Sequence, residues 1–267
     1  VSGLINNVSR EARQLGVAKL KAEESTNFTI GMGGKPFRNF SFTLDYYNIA
    51  VDDRIVLSNE LATSFGTVSY FSNAIDTRTS GIDFVANYGN IALGNGKLGF
   101  NLAGNYMIEN GRTDDNGDAL IDLTQEALLF TSRPKTKWIL GANYDIGKFN
   151  FNLNNTYFGT TEFRQAGLDS NLRTEFTPKI VTDLGINYNV DSNWTIALNA
   201  NNLFNVLPEW EFKANNAAGS SILADPAQVK TQSNLITFNQ RYSQMTYDGY
   251  HFSQLGSMFN LSVNYRF

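Results

Sequence analysis

From about residue 25 to the carboxyl terminus, apolar side chains recur at every second position, the period of a strand with two unlike faces. In 180–190, Ile180, Thr182, Leu184, Ile186, Tyr188 and Val190 share one face; Val181, Asp183, Gly185, Asn187 and Asn189 make the other. After Asp191-Ser192-Asn193 the alternation resumes, with Trp194, Ile196, Leu198 and Ala200 opposite Thr195, Ala197, Asn199 and Asn201. Two such runs joined by a short Asp/Ser/Asn turn predict an antiparallel hairpin. The same pattern sets Phe40, Phe42, Leu44 and Tyr46 on one face, then Ile82, Phe84, Ala86 and Tyr88, then Leu98, Phe100, Leu102 and Tyr106. Trp138, Leu140, Ala142 and Tyr144 follow, then Phe149, Phe151 and Leu153. The period predicts about nine strands, at roughly 25–35, 39–55, 76–92, 97–110, 136–146, 148–163, 179–190, 194–210 and 251–267.

The connections fall into two kinds. Pro36-Phe37-Arg38-Asn39, Gly94-Asn95-Gly96, Ile146-Gly147-Lys148 and Asp191-Ser192-Asn193 are tight, whereas roughly 57–75, 111–134, 164–178 and 211–250 are long and polar. Short turns at one end and long loops at the other predict an all-β, antiparallel transmembrane barrel portion, with turns periplasmic and loops extracellular. A soluble sandwich also alternates, but it has no reason to gather every long loop at one end or to make its second face rich in Asn and Gly. Strand direction adds a further expectation. Phe40, Tyr88, Tyr144, Phe149, Tyr188, Trp194 and Tyr265 fall near the turn end, and Tyr46, Tyr106, Trp138, Tyr157 and Trp210 near the loop end. Two aromatic belts with smaller apolar residues between them match two lipid interfaces.

Composition narrows the function classes. The chain has 267 residues, 17% charged and 13% aromatic, with a net charge of -4, so it is neither a disordered segment nor a basic nucleic-acid binder. There are no cysteines and one histidine, His251, which excludes disulfides and thiolate metal sites and leaves any hydrolytic triad dependent on that residue. No apolar run approaches the length of a transmembrane helix.

Reading back from the terminus, Phe267, Tyr265, Val263, Leu261 and Phe259 alternate, and the strand ends on an aromatic. This resembles the signal that the barrel-assembly machinery reads on outer-membrane proteins, by pairing with an open strand edge. Asn201-Asn202-Leu203-Phe204-Asn205 before Pro208 resembles the N-L-F-N segment of TonB-dependent outer-membrane receptors. Phe40-Ser41-Phe42-Thr43-Leu44-Asp45-Tyr46-Tyr47-Asn48-Ile49 resembles their L-x-x-D-Y-Y-x-I strand. Lys21-Ala22-Glu23-Glu24-Ser25 is similar to the family's K-P-E-x-S lead-in, with Ala22 in place of proline, and Asn264-Tyr265-Arg266-Phe267 resembles its ending. The asparagine-rich style resembles receptors of the Bacteroidetes group.

That resemblance implies a 22-stranded barrel with a plug in its lumen, of which this chain supplies the last nine strands. On this reading 1–24 is an extracellular lead-in and 25–267 is barrel. The implied partners are outer-membrane lipid, the plug and remaining strands of the same receptor, and TonB through the N-terminal part; no nucleic acid is expected. The implied function is energised uptake of a scarce nutrient: siderophore-bound iron, haem, a glycan or a peptide. A passive porin-like channel and an outer-membrane hydrolase built on His251 stay open as alternatives.

No catalytic, cofactor or metal site is expected. The longest loop gathers Trp210, Phe212, Lys213, Phe238, Arg241, Tyr242, Tyr247 and Tyr250. Of these, Trp210, Phe212, Arg241, Tyr242, Tyr247 and Tyr250 are candidate ligand contacts, because aromatics with a few cations hold such molecules; packing of the loop onto itself is the competing reading. Asp114-Asp115-Asn116-Gly117-Asp118 has the look of a calcium loop, but a register with Gly117 sixth puts Arg112 at the first ligand position, so a solvated turn is expected.

Overall fold

The computed structural model describes residues 2–114, 120–237 and 252–267. In chain order the first half holds β1 (Ser2–Leu4), α1 (Arg10–Gln14), β2 (Glu24–Gly34), β3 (Phe40–Leu57), β4 (Leu61–Thr63), β5 (Gly66–Ser69), β6 (Phe71–Leu93) and β7 (Gly96–Arg112). Next come α2 (Leu123–Phe130), β8 (Thr136–Ile146), β9 (Phe149–Phe158), β10 (Thr161–Phe163), β11 (Leu172–Phe176) and β12 (Lys179–Asn189). The remainder is β13 (Trp194–Asn201), β14 (Trp210–Ala214), α3 (Ala217–Leu223), α4 (Pro226–Ile236) and β15 (Met258–Tyr265).

Nine strands form one antiparallel meander in the order β15-β13-β12-β9-β8-β7-β6-β3-β2. Because side chains alternate, register decides what each face shows. One face carries the rung Met32–Leu44–Phe84–Gly104–Trp138–Tyr157–Ile180 and, nearer the turns, Tyr144–Phe151–Ile186–Leu198–Leu261. These apolar side chains stay uncovered: Leu140 is 50% exposed, Ile180 56% and Leu261 69%. A continuous apolar surface of this extent is not tolerated in water, and it matches the lipid-facing side of a membrane strand wall.

The turn end is built as the spacing requires. Gly94 (φ 57) and Gly147 (φ 58) each open a two-residue turn, between the paired residues Leu93 and Gly96 and between Ile146 and Phe149. A positive φ at the first turn position is where this hairpin class takes glycine. In the 191–193 turn, Asp191 Oδ1 accepts from the N–H groups of Asn193 (2.8 Å) and Trp194 (2.9 Å). Those two donors hold its carboxyl below the ordinary value. The aromatics expected at this end do cluster: Phe37 stacks on Phe40 at 4.7 Å, Phe149 lies 4.7 Å from Tyr188, and Trp194 lies 4.7 Å from Tyr265.

Several boundaries differ from the sequence expectation. The strand expected over 194–210 ends at Asn201, because Asn202 (φ 51) and Asn205 (φ 54) take left-handed conformations that turn the chain out of the sheet. Trp210 therefore lies in β14, not in the loop-end belt; Tyr46, Tyr106, Trp138 and Tyr157 keep their places on the apolar face. The strand expected over 148–163 stops at Phe158, and β10 joins a separate sheet. The last strand starts at Met258 rather than near 251. Conversely, β6 runs for 23 residues and β3 for 18, well past the 9–11 that span a bilayer. The added pairing survives an irregularity at Asp53 (φ 56) between Val51 and Arg54.

The long loops are not bare coil. β1-β5-β4 and β10-β11-β14 are small sheets beyond the wall. Two apolar clusters support them: Val56, Ala74, Ile75, Ile121 and Phe130; and Ala127, Phe163, Phe176 and Ile236. The second ties α2, β10, β11 and α4 together, so three loops that are distant in sequence share one core.

Candidate functional site

The face opposite the apolar rungs is a wall of side-chain amides. Across it run Asn87–Asn101–Gly141–Asn154–Asp183 and Asn143–Asn152–Gly185–Asn199–Asn260. The amides are linked to each other: Asn152 Nδ2 donates to Asn143 Oδ1 (2.5 Å), Asn154 Nδ2 to Asn152 Oδ1 (2.6 Å), and Asn187 Nδ2 to Asn150 Oδ1 (3.1 Å). Gly141 makes room for this, since a methyl there would overlap the amide oxygens of Asn101 and Asn154. An amide offers donors and an acceptor without a charge to desolvate, so such a wall can be covered by water or by another polar surface at low cost.

At the loop end of this wall the chemistry changes. Lys137 Nζ sits 4.9 Å from the centroid of the Phe158 ring, and Phe158 lies 5.2 Å from Phe252. Phe158, Val181, Asp183, Asn201, Phe252 and Met258 line a cavity of about 150 Å³. Small-molecule pockets begin at roughly 300 Å³, so this cavity is too small to enclose a siderophore or haem by itself.

Three features set the geometry above the wall. Asn202 closes the end of β13: its Nδ2 donates to Val206 O (2.7 Å), its Oδ1 accepts from Val206 N (2.8 Å), and its own N–H donates to Asp183 Oδ1 (2.7 Å). Ser257 Oγ donates to Asn202 O (2.6 Å), which fixes the approach to β15. The Asn201–Asn205 segment is thus a turn lock. The Lys21–Ser25 lead-in is held in the same manner: Lys21 Nζ pairs with Asp53 at 2.6 Å, Asn73 bonds both Lys21 and Asp53, and Glu23 Oε1 accepts from Ile55 N (2.6 Å). The Asp53 carboxylate raises the Lys21 ammonium above its ordinary pKa.

Of the candidate ligand contacts, Trp210 and Phe212 lie in β14, 5.4 Å apart edge to face, packed against the Ala127–Phe163–Phe176–Ile236 cluster. Arg241, Tyr242, Tyr247 and Tyr250 lie outside the described residues, as do Phe238 and His251. Asp115, Asn116, Gly117 and Asp118 also lie outside them. Asp114 Oδ2 accepts from Asp76 N (3.0 Å), which docks the loop on β6. No metal-binding cluster occurs among the described residues. Phe259, Leu261, Val263 and Tyr265 line the apolar face of β15, and Phe267 sits edge-on to Tyr265 at 4.9 Å.

The sequence reading missed α2 and α4, though both carry start signals. Asp122 and Gln125 form a capping box on α2. Asp225 caps α4 before Pro226, and Gln228 and the Ala227 N–H together keep its carboxyl below the ordinary value.

Residues 4–203 match the family described as TonB dependent receptor-like, beta-barrel. Among solved structures, the FrpB iron transporter of Neisseria meningitidis (F3-3 variant) is similar with a TM-score of 0.58 and 15% identity, over 92% of this chain and 32% of its own. The siderophore receptor PirA of Acinetobacter baumannii gives 0.59 and 14%, over 93% and 32%. A mutant of the ferric enterobactin receptor PfeA of Pseudomonas aeruginosa gives 0.52 and 15%, over 70% and 26%. No curated protein matches the chain. At such identities the structures show the fold, and the chain spans about a third of the length of the first two. The matched family is one of receptor barrels rather than enzymes, so the hydrolase alternative falls away. An apolar outer face, an amide inner face, tight turns at one end and a built loop layer at the other agree with that match: the chain belongs to the TonB dependent receptor-like β-barrel family and forms part of an integral outer-membrane barrel.

Proposed function

We propose that this wall belongs to a receptor that takes up a scarce nutrient across the outer membrane, with energy delivered through TonB. The observation that carries this reading is the wall's incompleteness. β2 and β15 have no further strand partner among the described residues, and the match to an iron transporter of the same fold covers only 32% of that transporter's chain. Unpaired strand edges are not tolerated in hydrocarbon, so other strands close the barrel. The amide-rich inner face suits a plug domain, which covers it by hydrogen bonds. An iron transporter and a siderophore receptor of this fold favour a metal chelate as cargo, with haem, a glycan or a peptide as the other classes.

Trp210 and Phe212 support the loop layer, while Arg241, Tyr242, Tyr247 and Tyr250 contact the ligand. Phe259, Leu261, Val263, Tyr265 and Phe267, on the open edge strand, serve as the signal for the barrel-assembly machinery.

The test uses cells producing the full receptor and radiolabelled ferric siderophores, with haem, oligosaccharide and peptide as further probes. Uptake of one class should appear with the receptor and collapse when a protonophore or loss of TonB removes the energy supply. Uptake that persists without the proton gradient would replace this reading with a passive pore. A receptor-independent signal for every class would end it.

A further inference from the structure

β8 and β9 part company just above the apolar face. Their last shared rung has Gly159 N donating to Thr136 O at 2.9 Å, and the next contact upward is Glu162 N to Thr131 O at 3.0 Å. Between these rungs the segment leading into β8 supplies four residues, 132–135, and the segment leaving β9 only Thr160 and Thr161. The surplus leaves a cleft of about 320 Å³ whose lining includes Thr131, Arg133, Lys135, Thr136, Tyr157 and Thr160. Arg133 and Lys135 are exposed, and neither has an ion pair among the described residues. Glu162, the carboxylate of the lining, is engaged by Arg173 at 3.2 Å. The cleft therefore presents two free cations and a set of hydroxyls.

Its position says what kind of anion it meets. Tyr157 belongs to the loop-end aromatic belt, beside Trp138, whose Nε1 donates to Thr136 Oγ1 at 2.7 Å. Leu140 and Leu153 continue down the same face, exposed where lipid chains run. A molecule with acyl chains along Leu140 and Leu153 brings its headgroup to Arg133 and Lys135 without leaving the bilayer surface. We propose that this cleft holds the phosphate of an outer-leaflet lipid, with Arg133 and Lys135 as its cationic partners. Arg supplies a bidentate fork for phosphate oxygens and Lys a point charge. The proposal rests on the membrane placement and not on the uptake reading, so either can fail alone.

The full receptor, extracted in mild detergent, is titrated with dioleoyl phosphatidic acid or with dioleoylglycerol, and bound lipid is counted by native mass spectrometry. Each cation near a lipid phosphate contributes roughly fivefold, so R133Q/K135Q should weaken phosphatidic acid retention by about 30-fold. Dioleoylglycerol should bind weakly to both proteins. K137Q, which removes a cation from the polar side of the same strand, should leave retention unchanged. Equal retention by the double variant, equal retention of dioleoylglycerol, or equal loss in K137Q would overturn the proposal. Complete displacement by millimolar inorganic phosphate would assign the cleft to a soluble anion instead. Should the double variant fail to fold, R133Q and K135Q taken singly should each lose about fivefold.

Discussion

A single missing side chain can be as specific as a present one. Gly104 lies on the apolar face directly opposite Trp138, and a methyl there would fall inside the indole ring. The glycine lets the ring lie across its neighbour strand, with the indole N–H satisfied by Thr136 at 2.7 Å rather than facing hydrocarbon. Gly104→Ala should therefore destabilise the barrel by about 1–3 kcal/mol, the usual cost of overpacking. W138A should relieve most of that penalty, because the three atoms nearest the added methyl all belong to the Trp138 indole. The measurement is the unfolding midpoint of the full receptor for the double-mutant cycle. Additive losses in G104A/W138A would show that the glycine serves some other purpose.

At the scale of elements, the strands of the wall were legible because each is long enough for its period to show and each has one face in lipid. What ended them was less visible. In β13 Asn199 and Asn201 hold the polar positions and Asn202 then takes an apolar one, but a single out-of-phase asparagine is too weak a signal to stop the predicted strand short of Trp210. The stop lies in conformation and side-chain bonding, which a period of two does not encode. Asn202→Ala should remove two side-chain hydrogen bonds to Val206 and place alanine at φ 51. The expected loss is about 2–4 kcal/mol, from roughly 1 kcal/mol per bond plus the left-handed penalty. Asn202→Gly keeps the conformation and loses only the bonds, so it should recover about half of the loss. Heat-dependent gel migration of the folded receptor reads both; an alanine variant as stable as the parent would refute the lock. The short strands of the loop layer were illegible for a different reason. β10 and β4 have three residues each and β11 five, too few for a period, and their burial comes from partners such as Ile236 that are remote in sequence. The same gap hid the packing of Trp210 and Phe212: composition identifies aromatics in a loop, while only the fold shows them against the Ala127–Phe163–Phe176–Ile236 cluster.

At the scale of the molecule, the two ends of the wall are physically unlike, and that asymmetry fixes its direction in the membrane. Turn residues 94–95 and 147–148 leave no mass beyond the bilayer, whereas the opposite end carries two small sheets, three helices of seven or more residues and two apolar clusters. In outer-membrane barrels the short turns are periplasmic and the built loops extracellular. Asn95, at a turn tip, and Ala218, on α3, are both exposed, and the 267-residue chain has no cysteine to compete for label. A cysteine at Ala218 should react with a membrane-impermeant maleimide on intact cells, while one at Asn95 should react only after the outer membrane is opened. Matched labelling after lysis shows that both sites are reactive, so a difference on intact cells reports sidedness alone. The reverse result would invert the wall and place the Arg133–Lys135 cleft at the periplasmic surface, where an outer-leaflet lipid cannot reach it.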